Sequence, residues 1–159
     1  MEITMVLYLP RDAASVPISR QVLDGCLQTL GVTADARADI ALALSEACAN
    51  VIQHAGPGDE YEVQATARQG RCVIEVVNAA HRAAADGGDG EGPADGQPFA
   101  PPPGPPSPTA EHGRGLAIID AVVDNVRLTK NTGDGTTVHF EKELDWIPDA
   151  PGEHLFSAS

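Results

Sequence analysis

The sequence has no basic stretch: Lys and Arg number 10 against 23 Asp and Glu, a formal net charge of -13, and the cations are scattered. A chain that acidic, with no cluster to follow a phosphate backbone, excludes nucleic acid as a partner. It also has no apolar run approaching the roughly 18 residues that a membrane-spanning helix needs. Met1-Glu2-Ile3-Thr4 carries no basic n-region of a secretory signal. A cytoplasmic protein without membrane attachment is therefore expected. Cys26, Cys48 and Cys72 are odd in number and form no CxxC pair, which points to buried thiols in a reducing compartment. His54, His81, His112, His139 and His154 show no ligand-like spacing, so a structural metal is not expected. There is no phosphate loop of the GxxxxGK[ST] type, no GxSxG elbow and no internal repeat.

What is present fits one α/β domain, since 159 residues can bury a core without disulfides. Ile3 to Leu9 reads as a strand stopped by Pro10. Ser15 can cap a helix in which Ile18, Val22, Cys26 and Leu30 recur every four positions, with Gly31 at its C-terminal stop. Thr33 can cap a second helix whose stripe is Ile40, Leu44, Ala47, Cys48 and Val51. Alternation from Tyr61 to Arg68, a turn at Gln69-Gly70-Arg71 and a β-branched run from Cys72 to Val77 predict a hairpin. From 79 to 111 the hydrophobic pattern gives way to Gly, Pro, Ala and acidic residues, read as a lid or a disordered loop. A helix from Gly113 through Leu116, Ile119 and Val123 precedes a hairpin of strands at 125–129 and 136–142. The domain is expected to span 1–145, with 146–159 as a frayed tail.

Three segments can carry chemistry. On the second helix, Asp39, Glu46, Asn50 and Gln53 project away from the apolar stripe, and Glu46 and Asn50 are one turn apart. A carboxylate beside an amide oxygen can act as a general base and a hard-oxygen magnesium ligand. The same residues can equally be a solvated helix face. His112-Gly113-Arg114-Gly115-Leu116 can bring backbone amides against a phosphate, or can simply be a flexible helix start. Gly133-Asp134-Gly135-Thr136-Thr137 is a hairpin turn whose threonine hydroxyls can also face a ligand on the sheet.

Taken in order, Leu44-Ser45-Glu46-Ala47-Cys48-Ala49-Asn50-Val51-Ile52-Gln53-His54-Ala55, Gly113-Arg114-Gly115-Leu116-Ala117-Ile118-Ile119 and Gly135-Thr136-Thr137-Val138 resemble the N-box, the later glycine box and the closing G-T strand of the GHKL ATPases. Over residues 3 to 144 the order of elements is closest to the bacterial anti-sigma factor serine kinases of the sporulation and general-stress type. The resemblance implies a Bergerat-type two-layer α/β sandwich, with helices on one face of a mixed, mostly antiparallel sheet and a long Pro/Gly-rich lid. It implies ATP and Mg as cofactors, with Asn50 the magnesium ligand, Glu46 the catalytic base, Gly113, Arg114, Gly115 and Leu116 around the phosphates, and Thr136 at the adenine end. It also implies a sigma factor and a small serine-phosphorylated antagonist as partners, a homodimer, and Arg20 as a partner contact. A solvated helix arginine is the other reading of Arg20.

The pattern is broken after Val77. There the family has an aspartate followed by spaced glycines, whereas this chain reads Asn78-Ala79-Ala80-His81. The Asn78 side-chain oxygen can still accept from the adenine amino group, at a loss of about 1–2 kcal/mol relative to a carboxylate. Asp86-Gly87-Gly88-Asp89-Gly90 imitates the lost box but lies well past the strand end and reads as linker. Three functions follow: an active serine kinase that sequesters a sigma factor, a non-catalytic binding protein with a degenerate nucleotide site, or a detached histidine-kinase-like ATPase domain. The last is disfavoured because no phospho-accepting helix precedes the domain.

Overall fold

The computed structural model describes residues 1–54, 60–78, 97–98, 111–130 and 136–157. In chain order these form β1 (Glu2–Pro10), α1 (Ser15–Leu30), α2 (Ala34–His54), β2 (Glu60–Arg68), β3 (Arg71–Asn78), β4 (Gln97–Pro98), α3 (Glu111–Val122), β5 (Asn125–Lys130), β6 (Thr136–Glu143) and α4 (Pro151–Ser157). The strands form one sheet in the order β1-β2-β3-β6-β5-β4. Every described pairing is antiparallel, where the resemblance implied a mixed sheet. The expected lid at 79–111 lies mostly outside the described residues. Within it, Gln97–Pro98 adds a short edge strand to β5, and at its end Glu111 already belongs to α3.

Alternation fixes which face of the sheet is core. Leu9, Tyr61, Val63, Ala65, Cys72, Ile74, Val76, Val138 and Phe140 point one way and are buried with the α2 stripe of Ile40, Leu44, Ala47, Cys48 and Val51. The opposite face carries Gln64, Thr66, Glu75, Thr137 and His139, all partly exposed. The β2–β3 turn falls where expected but is one residue shorter, because Arg71 already pairs with Arg68; φ is 50° at Gln69 and 75° at Gly70, a left-handed pair that matches the strand twist.

The α1 stripe is a correction. Ser15, Ser19, Leu23 and Leu27 form the buried face, while Ile18 is 54% exposed, Val22 40%, and Cys26 is also exposed. The expectation of three buried thiols thus fails at Cys26. Burial pushes the Cys48 thiol up to about 11 and that of Cys72 up to about 12, so both stay protonated at neutral pH. Ser15 is not the N-cap. That position is Ala14, without a side-chain cap, and the Ser15 hydroxyl turns inward. Thr33 does cap α2, its Oγ1 accepting from the Ala36 amide at 3.4 Å.

The C-terminal segment is a second correction, for it is docked rather than frayed. Trp146 forms a β-bridge with Val32, and the Ile147 amide donates to the Gly31 carbonyl at 2.9 Å. Trp146 stacks on Phe156 of α4 with centroids 6.0 Å apart. Gly31 ends α1 at φ 88°, and a Cβ there would fall 2.5 Å from the Ala150 Cβ. Gly31 is therefore required both for the left-handed turn and for the tail to seat on it.

Candidate functional site

The antiparallel register brings the candidate residues to one end of the sheet. Leu9 pairs with Tyr61 and Tyr61 with Asn78, while Thr136 opens β6 one step beyond the Val77–Thr137 pair. Leu9, Tyr61, Asn78 and Thr136 consequently line up across the inner face, and all four are buried. Thr137 falls on the outer face by alternation, so only Thr136 of the two threonines can meet a ligand beneath the helices. The C-terminal turn of α2 lies at this same end, where Arg11 Nη2 donates to the Ile52 carbonyl at 2.8 Å.

Above that row run α2 and α3. Glu46 and Asn50 are half-buried rather than solvated, because the flank of α2 that carries them faces α3. The contact is close: a Cβ built on Gly115 would lie 3.2 Å from Glu46 Oε2. The Glu46 carboxylate thus rests on the helix backbone where the glycine box leaves it bare. Gly113 lies within the first turn of α3, whose leading amides have no intrahelical acceptor, whereas the helix itself supplies acceptors for the amides of Arg114 and Gly115. The helix starts two residues earlier than expected, which puts the glycines inside it. Leu116 is 6% exposed and faces the core, so only its backbone is available to a ligand.

A lysine holds the two walls together. Lys142 Nζ donates to the Val122 carbonyl at the end of α3 (2.9 Å) and lies 3.3 Å from Asp39 Oδ2 on α2. Its charge sits where the α3 dipole is negative and bridges the helix carrying Glu46. Asp39, expected beside Glu46, is thus a strut. Next to it, Asp124 Oδ2 accepts from the Glu143 amide at 2.6 Å.

Arg20 lies on the other flank of α2, its Nη1 donating to Ser45 Oγ at 3.4 Å. Carboxylates hold Arg37, Arg68, Arg71 and Lys142, whereas exposed Arg20 meets the neutral Ser45 hydroxyl. Leu42 of α2, one turn before Glu46, is 43% exposed.

Two groups were not anticipated. Tyr61, Ser15, Ser19 and Cys48 form a buried polar cluster beside Asn78; only the α1 serines at a spacing of four hinted at it. On the outer face, His139 Nδ1 lies 3.1 Å from Glu75 Oε1 and Nε2 lies 3.2 Å from Glu141 Oε1. Hydrogen bonding to Glu75, and then to Glu141, raises the His139 pKa against the opposing effect of burial, and the His139 bond lowers that of Glu75.

A family profile for the histidine kinase-like ATPase domain matches residues 9–142. The chain belongs to that family. It is 31% identical over 147 residues, covering 87% of this chain and 84% of the relative, to a serine-protein kinase RsbW of Bacillus velezensis. A solved structure of the RsbU and RsbW domains of a Mycobacterium tuberculosis protein matches with a TM-score of 0.61 at 21% identity. That match covers 89% of this chain and 32% of the mycobacterial one, so the chain spans about a third of that protein's solved length. The fold is the GHKL-type α/β sandwich that the three sequence boxes implied. Among the described residues no helix is long and apolar enough to cross a membrane.

Proposed function

We propose that this chain is a protein serine kinase that uses Mg-ATP to phosphorylate a serine of a small antagonist protein and, with the antagonist unmodified, releases a bound sigma factor. The supporting observation is the Glu46–Gly115 contact, which sets the α2 flank of Glu46 and Asn50 against the start of α3, with Asn78 and Thr136 buried on the inner face of the sheet. The bare backbone at Gly115 is a cradle that a side chain would fill, and the donor set of one amide oxygen and helix-start amides suits a magnesium-bound polyphosphate. Asn50 would hold the metal, which when bound neutralises charge on the transferring phosphoryl group.

In this reading the acceptor serine approaches over the exposed α2 crest at Leu42, with Arg20 to one side as the partner contact. Glu46 takes the hydroxyl proton as the serine oxygen bonds to the γ-phosphorus and the bond from that phosphorus to the β,γ-bridging oxygen breaks. The leading α3 amides, through that of Gly113, hold the phosphates, and ADP leaves. Asn78 and Thr136 hold the adenine end, and two copies of the chain pair as a homodimer in the cytoplasm. Transfer of labelled phosphate from ATP to the antagonist, and capture of a sigma factor by the purified chain, test this. Failure to bind any sigma factor of the organism overturns the assignment.

A second reading has its own observation. Asn78, where the family has an aspartate, is followed by two alanines in place of glycines. A non-catalytic partner-binding protein would show neither phosphate transfer nor heat on titration with nucleotide.

A further inference from the structure

Four buried side chains beside Asn78 belong to none of the steps above. Ser15 is 2% exposed, and Ser19, Tyr61 and Cys48 are 0% exposed. The Ser15 hydroxyl donates to the Asp12 carbonyl at 2.7 Å, and Ser19 donates to the Val16 carbonyl at 2.8 Å. Each hydroxyl has a single hydrogen, so both serine oxygens then act as acceptors toward the cluster. The Tyr61 hydroxyl must therefore donate to Ser15 Oγ at 2.7 Å, and the Cys48 thiol can donate to Ser19 Oγ at 3.7 Å. Desolvation dominates at Tyr61 and pushes its phenol well above its ordinary pKa, so it remains a donor at any working pH. The bonds run one way, from β2 and α2 into the carbonyls at the start of α1. The strand and α2 are thereby tied to the start of α1 within the core.

Tyr61 is also the cross-strand partner of Asn78, and side chains of such pairs sit about 5 Å apart at Cβ. Cys48 precedes Asn50 by two residues on α2. Apolar packing alone would let a strand end or a helix slide by fractions of an ångström, whereas a buried hydroxyl pair is directional and short-ranged.

We propose that Tyr61 is a positioning residue of the nucleotide site: its hydroxyl bond to Ser15 and the Cys48 contact with Ser19 both end on α1, which holds the Asn78 end of the sheet and the Asn50 turn of α2 in register. This rests on the nucleotide reading above and adds to it a residue that need not touch the ligand. Loss of the hydroxyl leaves the ring in place, and Ser15 keeps its bond to Asp12, so the fold survives while the register relaxes. The test is titration calorimetry of magnesium-ATP into wild type, Tyr61→Phe, Ser15→Ala, and Phe156→Leu as a remote core variant, with each melting point measured. Tyr61→Phe and Ser15→Ala should each weaken binding about fivefold. Phe156→Leu, even with an equal or larger fall in melting point, should bind as wild type does. Equal affinity in wild type and Tyr61→Phe, or an equal loss in Phe156→Leu, overturns the positioning role. Absence of binding by wild type itself overturns the nucleotide reading instead.

Discussion

Replacing Gly115 with alanine sets two effects against each other. Gly115 is a helical residue of α3 without a positive φ, so alanine there should stabilise the helix by about 1 kcal/mol. For a domain of this size that raises the melting point by roughly 2–4 °C. The new Cβ would sit 3.2 Å from Glu46 Oε2, tighter than ordinary contact, and the flexible carboxylate must retreat by a few tenths of an ångström. That relief costs a fraction of the helix gain, so the melting point should hold or rise. Phosphoryl transfer is far more sensitive, since a misplacement of about 1 Å can cost on the order of a hundredfold. A retreat of a few tenths should cost roughly three- to tenfold. Calorimetric melting and transfer of labelled phosphate from ATP to the antagonist report the two effects separately. An equal or higher melting point with undiminished transfer would refute the assignment of Glu46 and the α3 backbone to one reaction site.

Three other substitutions probe the supports. Lys142→Met removes the bridge from α3 to Asp39 and should lower stability by about 1–2 kcal/mol in urea denaturation, with faster amide exchange in α3 than elsewhere. Trp146→Ala unstacks Phe156 and frees the tail, costing about 3 kcal/mol by the same measurement, whereas a frayed tail would lose almost nothing. The His139 contacts are strongest between the ordinary pKa values of about 4.5 for Glu75 and 6.5 for His139. The raised His139 pKa gives a contribution that is complete below 6.5 and lost as pH rises through the folded-state value. The lowered Glu75 pKa gives one that is complete above 4.5 and lost as pH falls through its folded-state value. Both groups are partly exposed, so His139→Gln should flatten the pH profile of stability by less than about 1 kcal/mol in denaturation series across pH 3–9.

The elements legible in the sequence are those whose local pattern and tertiary role agree. The α2 stripe was readable because the helix crosses the middle of the sheet and buries every residue of one side. The β2–β3 turn was readable because Gln69-Gly70 is short and suits left-handed backbone. On α1 the reading failed for a physical reason. The helix lies near the edge strand β1, so Ile18 and Val22 project past the sheet, while Ser15 and Ser19 enter the core because Tyr61 and Cys48 supply hydrogen-bond partners there. Burial of serine depends on those distant partners, which a single helix cannot display. The tail failed similarly: Trp146 and α4 lack a periodic stripe and seat only because Gly31 and Gly152 leave room for Ala150 and Trp146. For the site, the spacing of Glu46 and Asn50 gave their shared face. That this face is covered by α3 instead of water follows from the crossover of the chain, and Lys142, which fastens it, sits on a strand with no motif around it.

The claim on which the account turns is that Asn50 and the opening of α3 bind a magnesium-bound triphosphate together. Calorimetric titration of ATP into wild type and Asn50→Ala, with magnesium and with chelator, tests it most directly. Wild type should show one site per chain, weakened by removal of magnesium, and the variant should melt as wild type does but bind with little or no dependence on the metal. Equal, metal-dependent affinity in both proteins would contradict it.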